Sequence, residues 1–171
     1  GVHIFITLAP GTPYEAGQIF CQIVATVVAN KHPKAATVTR AVHARGQKVY
    51  FNAWAGDEAI SRYLGWAAAE LQRRLGIELI HVRINDVAEA VTRVLAEKKA
   101  GRDSDGSIDL LWLNGENFAA LRNAGLLHGP WADGVPNAKW IDRLGNPTTV
   151  TDVTLPTAGY ELAWGTSRYT F

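Results

Sequence analysis

The chain contains no methionine, and Cys21 is its lone cysteine. A single cysteine excludes an internal disulfide and a cysteine-based zinc cluster. Cys21 sits in the apolar stretch Ile19 to Ala29, where a buried and inert thiol is the expectation. That stretch is the longest apolar run, is interrupted by Gln22, and is too short to cross a bilayer. An excess of charge is missing as well, because 17 basic against 16 acidic residues leave a net charge of +1. So weak a net field argues against generic nucleic-acid binding, leaving only a local patch to provide it.

Several chemical signatures are also lacking. There is no phosphate loop of the Gly-Lys-Ser/Thr type and no dinucleotide fingerprint. Ser61, Ser104, Ser107 and Ser167 have no nucleophile-elbow context. The five histidines are scattered, and no pair has metal-ligand spacing on one element. The sequence therefore offers no catalytic residue, no metal site and no cofactor site, and an enzyme is not expected. No secretory leader precedes Gly1, and both ends read as strand, so the chain is expected to be a piece of a longer protein.

What is present is the composition of a soluble globular domain, 47% apolar and 19% charged. Its 171 residues suffice for one ordinary core or two small ones. Residues 2–8 are β-rich and end at Pro10-Gly11. Thr12, Pro13 and Glu15 supply cap, first-turn proline and capping box for a helix that His32-Pro33 ends. From residue 48 the pattern becomes a regular alternation. Strands are expected over 48–54, 77–84 and 108–113, and helices over 57–75, from Asn85-Asp86 to Gly101, and over 115–123. Strand and helix in alternation predict a parallel sheet with right-handed crossovers. Beyond Leu127 four prolines mark a loop-rich region, with short extended segments expected over 150–155 and 160–164.

In such a sheet, ligands bind outside the carboxyl ends of the strands. Two strand-to-helix loops there carry unusual chemistry, Asn52-Ala53-Trp54-Ala55-Gly56-Asp57 and Asn114-Gly115-Glu116-Asn117. Each sets amide side chains and outward-facing N–H groups at a helix start, which suits an anion or a carbonyl oxygen. Trp54 adds a flat face for an apolar or cationic group, and Asp57 and Glu116 add negative charge. Either loop read alone is also accounted for as ordinary helix capping. Trp66 and Trp112 are expected in the core, while Trp54, Trp131, Trp140 and Trp164 lie in or beside loops.

The stretch Ala44 to Trp54 closely resembles the start of the mature region in YnjB-like solute-binding proteins of ABC importers. The likeness runs on through Ala88-Glu89-Ala90-Val91, Ala100-Gly101-Arg102, Gly106 to Leu110, Asn114 to Phe118, Ala124 to Leu127, Pro136-Asn137 and Trp164-Gly165. It implies an α/β fold, a parallel Rossmann-like sheet forming one lobe of a type II periplasmic-binding protein. By resemblance, residues 46–171 are that first lobe, cut near the hinge. Asn52, Trp54, Gly115, Glu116, Asn117 and Trp164 then face the cleft. The implied partners are a small-molecule solute and the membrane permease of an importer, and the implied setting is the periplasm.

Residues 1–45 resemble a different family, the primase-related polymerase domain of ligase-D-type end-joining proteins. Gly1 to Ile6, Pro10, Tyr14-Glu15, Lys31-His32-Pro33 and Ala36 to Arg40 carry this likeness. It implies a strand–helix segment of an α+β primase-like fold, with His3 at a nucleotide triphosphate. The family's third metal-binding aspartate would follow the Val49-Tyr50-Phe51 strand, where this chain has Asn52. Two-metal transfer needs those carboxylates, so polymerase activity is not expected. The two patterns meet in the strand at Val49-Tyr50, where either an assembly artefact or an accidental fusion of two reading frames is expected. The ligand class stays open: helix N-termini favour an anion, tryptophans with carboxylates favour an aromatic cation, and a zwitterion satisfies both.

Overall fold

The computed structural model describes residues 46–163. Expectations placed on residues 1–45, including His3 and Cys21, and on Trp164 lie outside the described residues.

The first strand, β1 (Lys48–Trp54), alternates so that Val49, Phe51 and Ala53 are all buried to within 1% of complete. Helix α1 (Glu58–Leu75) starts where Asp57 Oδ1 accepts a hydrogen bond from the Ile60 N–H at 3.0 Å. It stops at Gly76, whose φ of 66° is the left-handed geometry that glycine adopts without strain. Strand β2 (Glu78–Ile84) and helix α2 (Val87–Lys99) follow, with Asp86 capping α2 through the Ala88 N–H. Strand β3 (Leu110–Leu111) leads into helix α3 (Gly115–Asn123). Three 3₁₀ turns come next, at Ala132–Gly134, Pro136–Trp140 and Pro147–Thr149, and then a small antiparallel hairpin, β4 (Thr151–Asp152) with β5 (Leu155–Pro156).

The three main strands lie in the order β2-β1-β3, all parallel. β1 pairs with β2 along its whole length, from Lys48 opposite Glu78 to Trp54 opposite Ile84. On its other edge it pairs with β3 through Phe51 opposite Leu110 and Asn52 opposite Leu111. The third strand is shorter than its apolar run implies, because only two residues have ladder partners. Asp109 and Trp112 nevertheless donate backbone hydrogen bonds to the Tyr50 and Asn52 carbonyls at 3.1 and 2.9 Å, so the run stays beside β1.

Two cores flank the sheet. On one face, Leu64, Ala67 and Leu71 of α1 pack with Val49, Phe51, Ala53 and Leu110. On the other, Ala90 and Val91 of α2 pack with Ile84, Leu111, Leu113 and the α3 residues Phe118 and Leu121. Helices on opposite faces and a strand order that doubles back put a topological switch point between β1 and β3.

The tryptophans are distributed differently from expectation. Trp66 is 41% exposed and lies against Tyr63 with ring centroids 5.7 Å apart, since its position on α1 turns away from the sheet. Trp131 is buried in the α1-side core, because the loops after α3 fold back over that face. Trp112 is half-buried between the two cores, and Trp140 is exposed.

Leu71 is fully buried at the centre of the α1–sheet contact. Leu71→Ala removes that contact and leaves a cavity, so urea denaturation is expected to show a loss of about 2–5 kcal/mol in unfolding free energy.

Candidate functional site

The parallel pairing of β1 with β3 brings the two loops together. Asn52 is opposite Leu111 in the ladder, so the residues that follow, Trp54-Ala55 on one strand and Leu113-Asn114 on the other, leave the sheet side by side. They end at the switch point of the strand order, the position where open parallel sheets bind ligands.

Asn52 lies on β1 two residues before its end and is fully buried. Its Oδ1 accepts a hydrogen bond from Arg93 of α2 at 3.2 Å. Its Nδ2 has no hydrogen-bond partner among the described residues. A buried amide donor left unpaired costs on the order of 1–3 kcal/mol, which makes this atom a recorded cost at the site. Trp54 is 42% exposed at the strand's end. Its indole lies so close over Gly56 that an added Cβ there would stand 2.0 Å from the ring, so a larger residue would require the ring to shift. One ring face is thereby held against backbone.

The remaining predicted positions divide. The Asp57 carboxylate is engaged as the α1 cap, and the residue is exposed. Asn114 is exposed and makes no side-chain cap bond, while Glu116 is exposed in the first turn of α3. Asn117 is half-buried and donates its backbone N–H to the Asn114 carbonyl. Gly115 adopts a φ of 57° and donates its N–H to Asp152 Oδ2 at 2.5 Å.

That last contact corrects the expectation of an outward-facing anion cradle at the α3 start. The β4–β5 hairpin folds over the helix terminus and supplies an internal carboxylate to it. Asp152 belongs to a region whose sequence shows only turn-rich extended character, so nothing local marks it as a helix-capping anion. Arg93 and Glu161 are further groups that the pattern of the sequence does not reveal, since each acquires its role through a partner distant along the chain.

Glu161 is 6% exposed, and its Oε2 has no hydrogen-bond partner among the described residues. Burial, reinforced by the nearby charge of Asp152, pushes its carboxyl up to about 8. Asp152 is itself raised by burial, against the stabilising N–H of Gly115. His81 on β2 is lowered chiefly by burial, although its Nε2 lies 3.2 Å from the Ala53 carbonyl.

Two cavities lie outside the switch-point crevice. One, of about 200 Å³, is bordered by Glu97, Lys98, Arg102 and His128, and the other, of about 260 Å³, by Glu161, Thr157 and Arg143. Among the described residues no group of three or more His, Cys, Asp or Glu side chains is arranged to hold a metal ion. No helix among them is long and apolar enough to cross a membrane.

Over 128 residues the chain is 46% identical to Protein YnjB of Escherichia coli (strain K12), a match covering 75% of this chain and 32% of that protein. The chain thus spans about a third of the length of the curated relative it matches. No family model matches the chain, and no solved structure matches it. These findings correct the family reading made from sequence. The name Protein YnjB states no role and so does not show membership of the importer-binding family, and nothing that matches is a ligase-D-type polymerase.

Glu161 gives this region a defined pH response. The ordinary value of 4.5 applies to the unfolded chain, whereas the folded carboxyl keeps its proton up to about 8. Its contribution to stability is therefore complete below about 4.5 and is lost as pH rises through about 8. Glu161→Gln is expected to flatten the fall in urea midpoint across this window, by the equivalent of a few kcal/mol at its upper end. Asp152→Asn is expected to lower the Glu161 carboxyl, read by carbon-detected NMR titration, because one neighbouring negative charge is gone.

Proposed function

We propose that the described domain is a solute-binding lobe whose ligand seats at the carboxyl ends of β1 and β3. The observation that carries this reading is the buried Nδ2 of Asn52, which has no hydrogen-bond partner among the described residues and lies near the strand ends at the switch point. In this reading the domain is one lobe of a two-lobed binding fold, and the length of the matched relative leaves room for a second lobe in the intact protein.

The charges favour one ligand class. The N-terminus of α3 already holds the Asp152 carboxylate, so an external anion would compete with a group tethered beside it. What remains open is the exposed Trp54 ring with the exposed carboxylates of Asp57 and Glu116. An exposed aromatic ring at a strand end, with acids at the starts of the two helices, suits an organic cation held by its charge over the indole face. A carbonyl or ether oxygen on the same ligand would give Asn52 Nδ2 its missing acceptor. Binding, with no bond made or broken, is all this arrangement needs.

Calorimetric titration of the chain with a panel of small aromatic cations is expected to give saturable binding. Trp54→Ala is expected to weaken it by at least about tenfold, which corresponds to about 1.4 kcal/mol. Binding that survives the substitution unchanged would place the solute elsewhere and defeat this reading.

A further inference from the structure

The cavity of about 260 Å³ lies between the 3₁₀ turns after α3 and the segment that follows β5. Its lining includes Glu161, which is 6% exposed and whose Oε2 has no hydrogen-bond partner among the described residues. Its walls are apolar at Ile141 and Leu162. At its rim Arg143 pairs with Asp133 at 2.6 Å, so those two charges offset one another. Asp152 on β4 acts on Glu161 from the hairpin side and adds a further negative charge. The Thr157 hydroxyl donates to the Val150 carbonyl at 3.3 Å, which leaves its own lone pairs available as acceptors.

We propose that this cavity is a binding site for a small primary ammonium group, with Glu161 as its counter-ion. A buried carboxyl oxygen without a donor is costly, and an ammonium brings three donors and the opposite charge to it. The excess of acidic groups over Arg143, once Asp133 is paired, selects a cation over a carboxylate. The volume falls below the 300–1,000 Å³ usual for drug-sized ligands, so the tail is a short alkyl chain against Ile141 and Leu162. The wall is firmly built. The Gly159 carbonyl accepts from both the Trp131 and Ala132 N–H groups, at 2.8 and 3.0 Å. An added Cβ at Gly159 would also stand 2.9 Å from Pro130.

The cavity bordered by Glu97 and Arg102 offers no such vacancy. Its Glu97 accepts from the Ser107 N–H at 3.2 Å and pairs with Arg102 at 3.5 Å, so its carboxylate is already satisfied.

Binding has a proton signature. With its carboxyl at about 8, Glu161 is largely protonated at neutral pH. Pairing with an ammonium ionises it, and the proton passes to buffer. Titration of the chain with n-butylammonium chloride in phosphate and in Tris is expected to be saturable, with an apparent enthalpy that differs between the buffers by close to one proton released. Glu161→Gln should weaken binding by at least about tenfold, while Trp54→Ala leaves it intact. The carbon-13 shift of the Glu161 carboxyl in the unaltered chain should move to the ionised position on saturation, a readout independent of how any variant folds. Absence of saturable binding, equal binding by Glu161→Gln, or an unmoved carboxyl shift overturns the proposal. Loss of binding in Trp54→Ala would instead put the ammonium in the switch-point crevice and equally overturn it. The aromatic-cation titration tests a different place, so the two readings fail separately.

Discussion

The parallel ladder that holds β1 between β2 and β3 is the constraint on which the rest depends. A parallel pair cannot be joined by a tight turn, so each neighbour of β1 requires a crossover, and here each crossover contains a helix. β1 is thus covered on both faces. Its odd-numbered residues Val49, Phe51 and Ala53 meet α1, and Asn52 turns to the opposite side, where Arg93 of α2 reaches it. Reversing direction from β2 to β3 puts the two helices on opposite faces and opens the crevice at the strand ends. A buried asparagine in such a strand is costly unless paired, and among the described residues only its Oδ1 has a partner.

Electrostatics at the carboxyl end of the sheet are set by the hairpin and the residues beyond it. Asp152 reaches back to the Gly115 N–H and acts as the anion for α3. The next residue, Val153 in the hairpin turn, has a φ of 54°, a left-handed geometry unusual for a β-branched residue. Asp152 also disfavours a second negative charge nearby, which adds to the burial that keeps Glu161 protonated. One carboxylate thus both completes a helix and conditions its neighbour.

Much of the secondary structure was legible because its signals are local. Asp57 and Gly76 bound α1, and Asp86 starts α2, where cap chemistry places them. The span 48–54 is marked by alternation, and it is the span of β1. The apolar run at 108–113 overstated β3, because hydrophobicity reports burial and not ladder partners; five of its six residues are buried, yet two pair. Trp66 and Trp131 exchanged their expected environments for a related reason. A helix face read from spacing has soft edges, and a loop tryptophan is buried only when the loop returns to the core.

The candidate site was legible in part. Asn52, Trp54 and Asn114 to Asn117 follow from strand ends in an alternating α/β pattern, which composition and spacing suffice to suggest. Family membership did not follow from motif likeness, since the matched relative carries a name without a role. By itself the sequence determined the caps, the alternation and the residues at the strand ends, because those depend on neighbours within a few positions. Only the tertiary structure decided that Arg93 meets Asn52, that Asp152 occupies the start of α3, and that Glu161 is buried beside it. Those contacts join residues 37 or more positions apart in the first two cases, and a carboxylate's ionisation depends on solvent and charge around it, which no local pattern encodes.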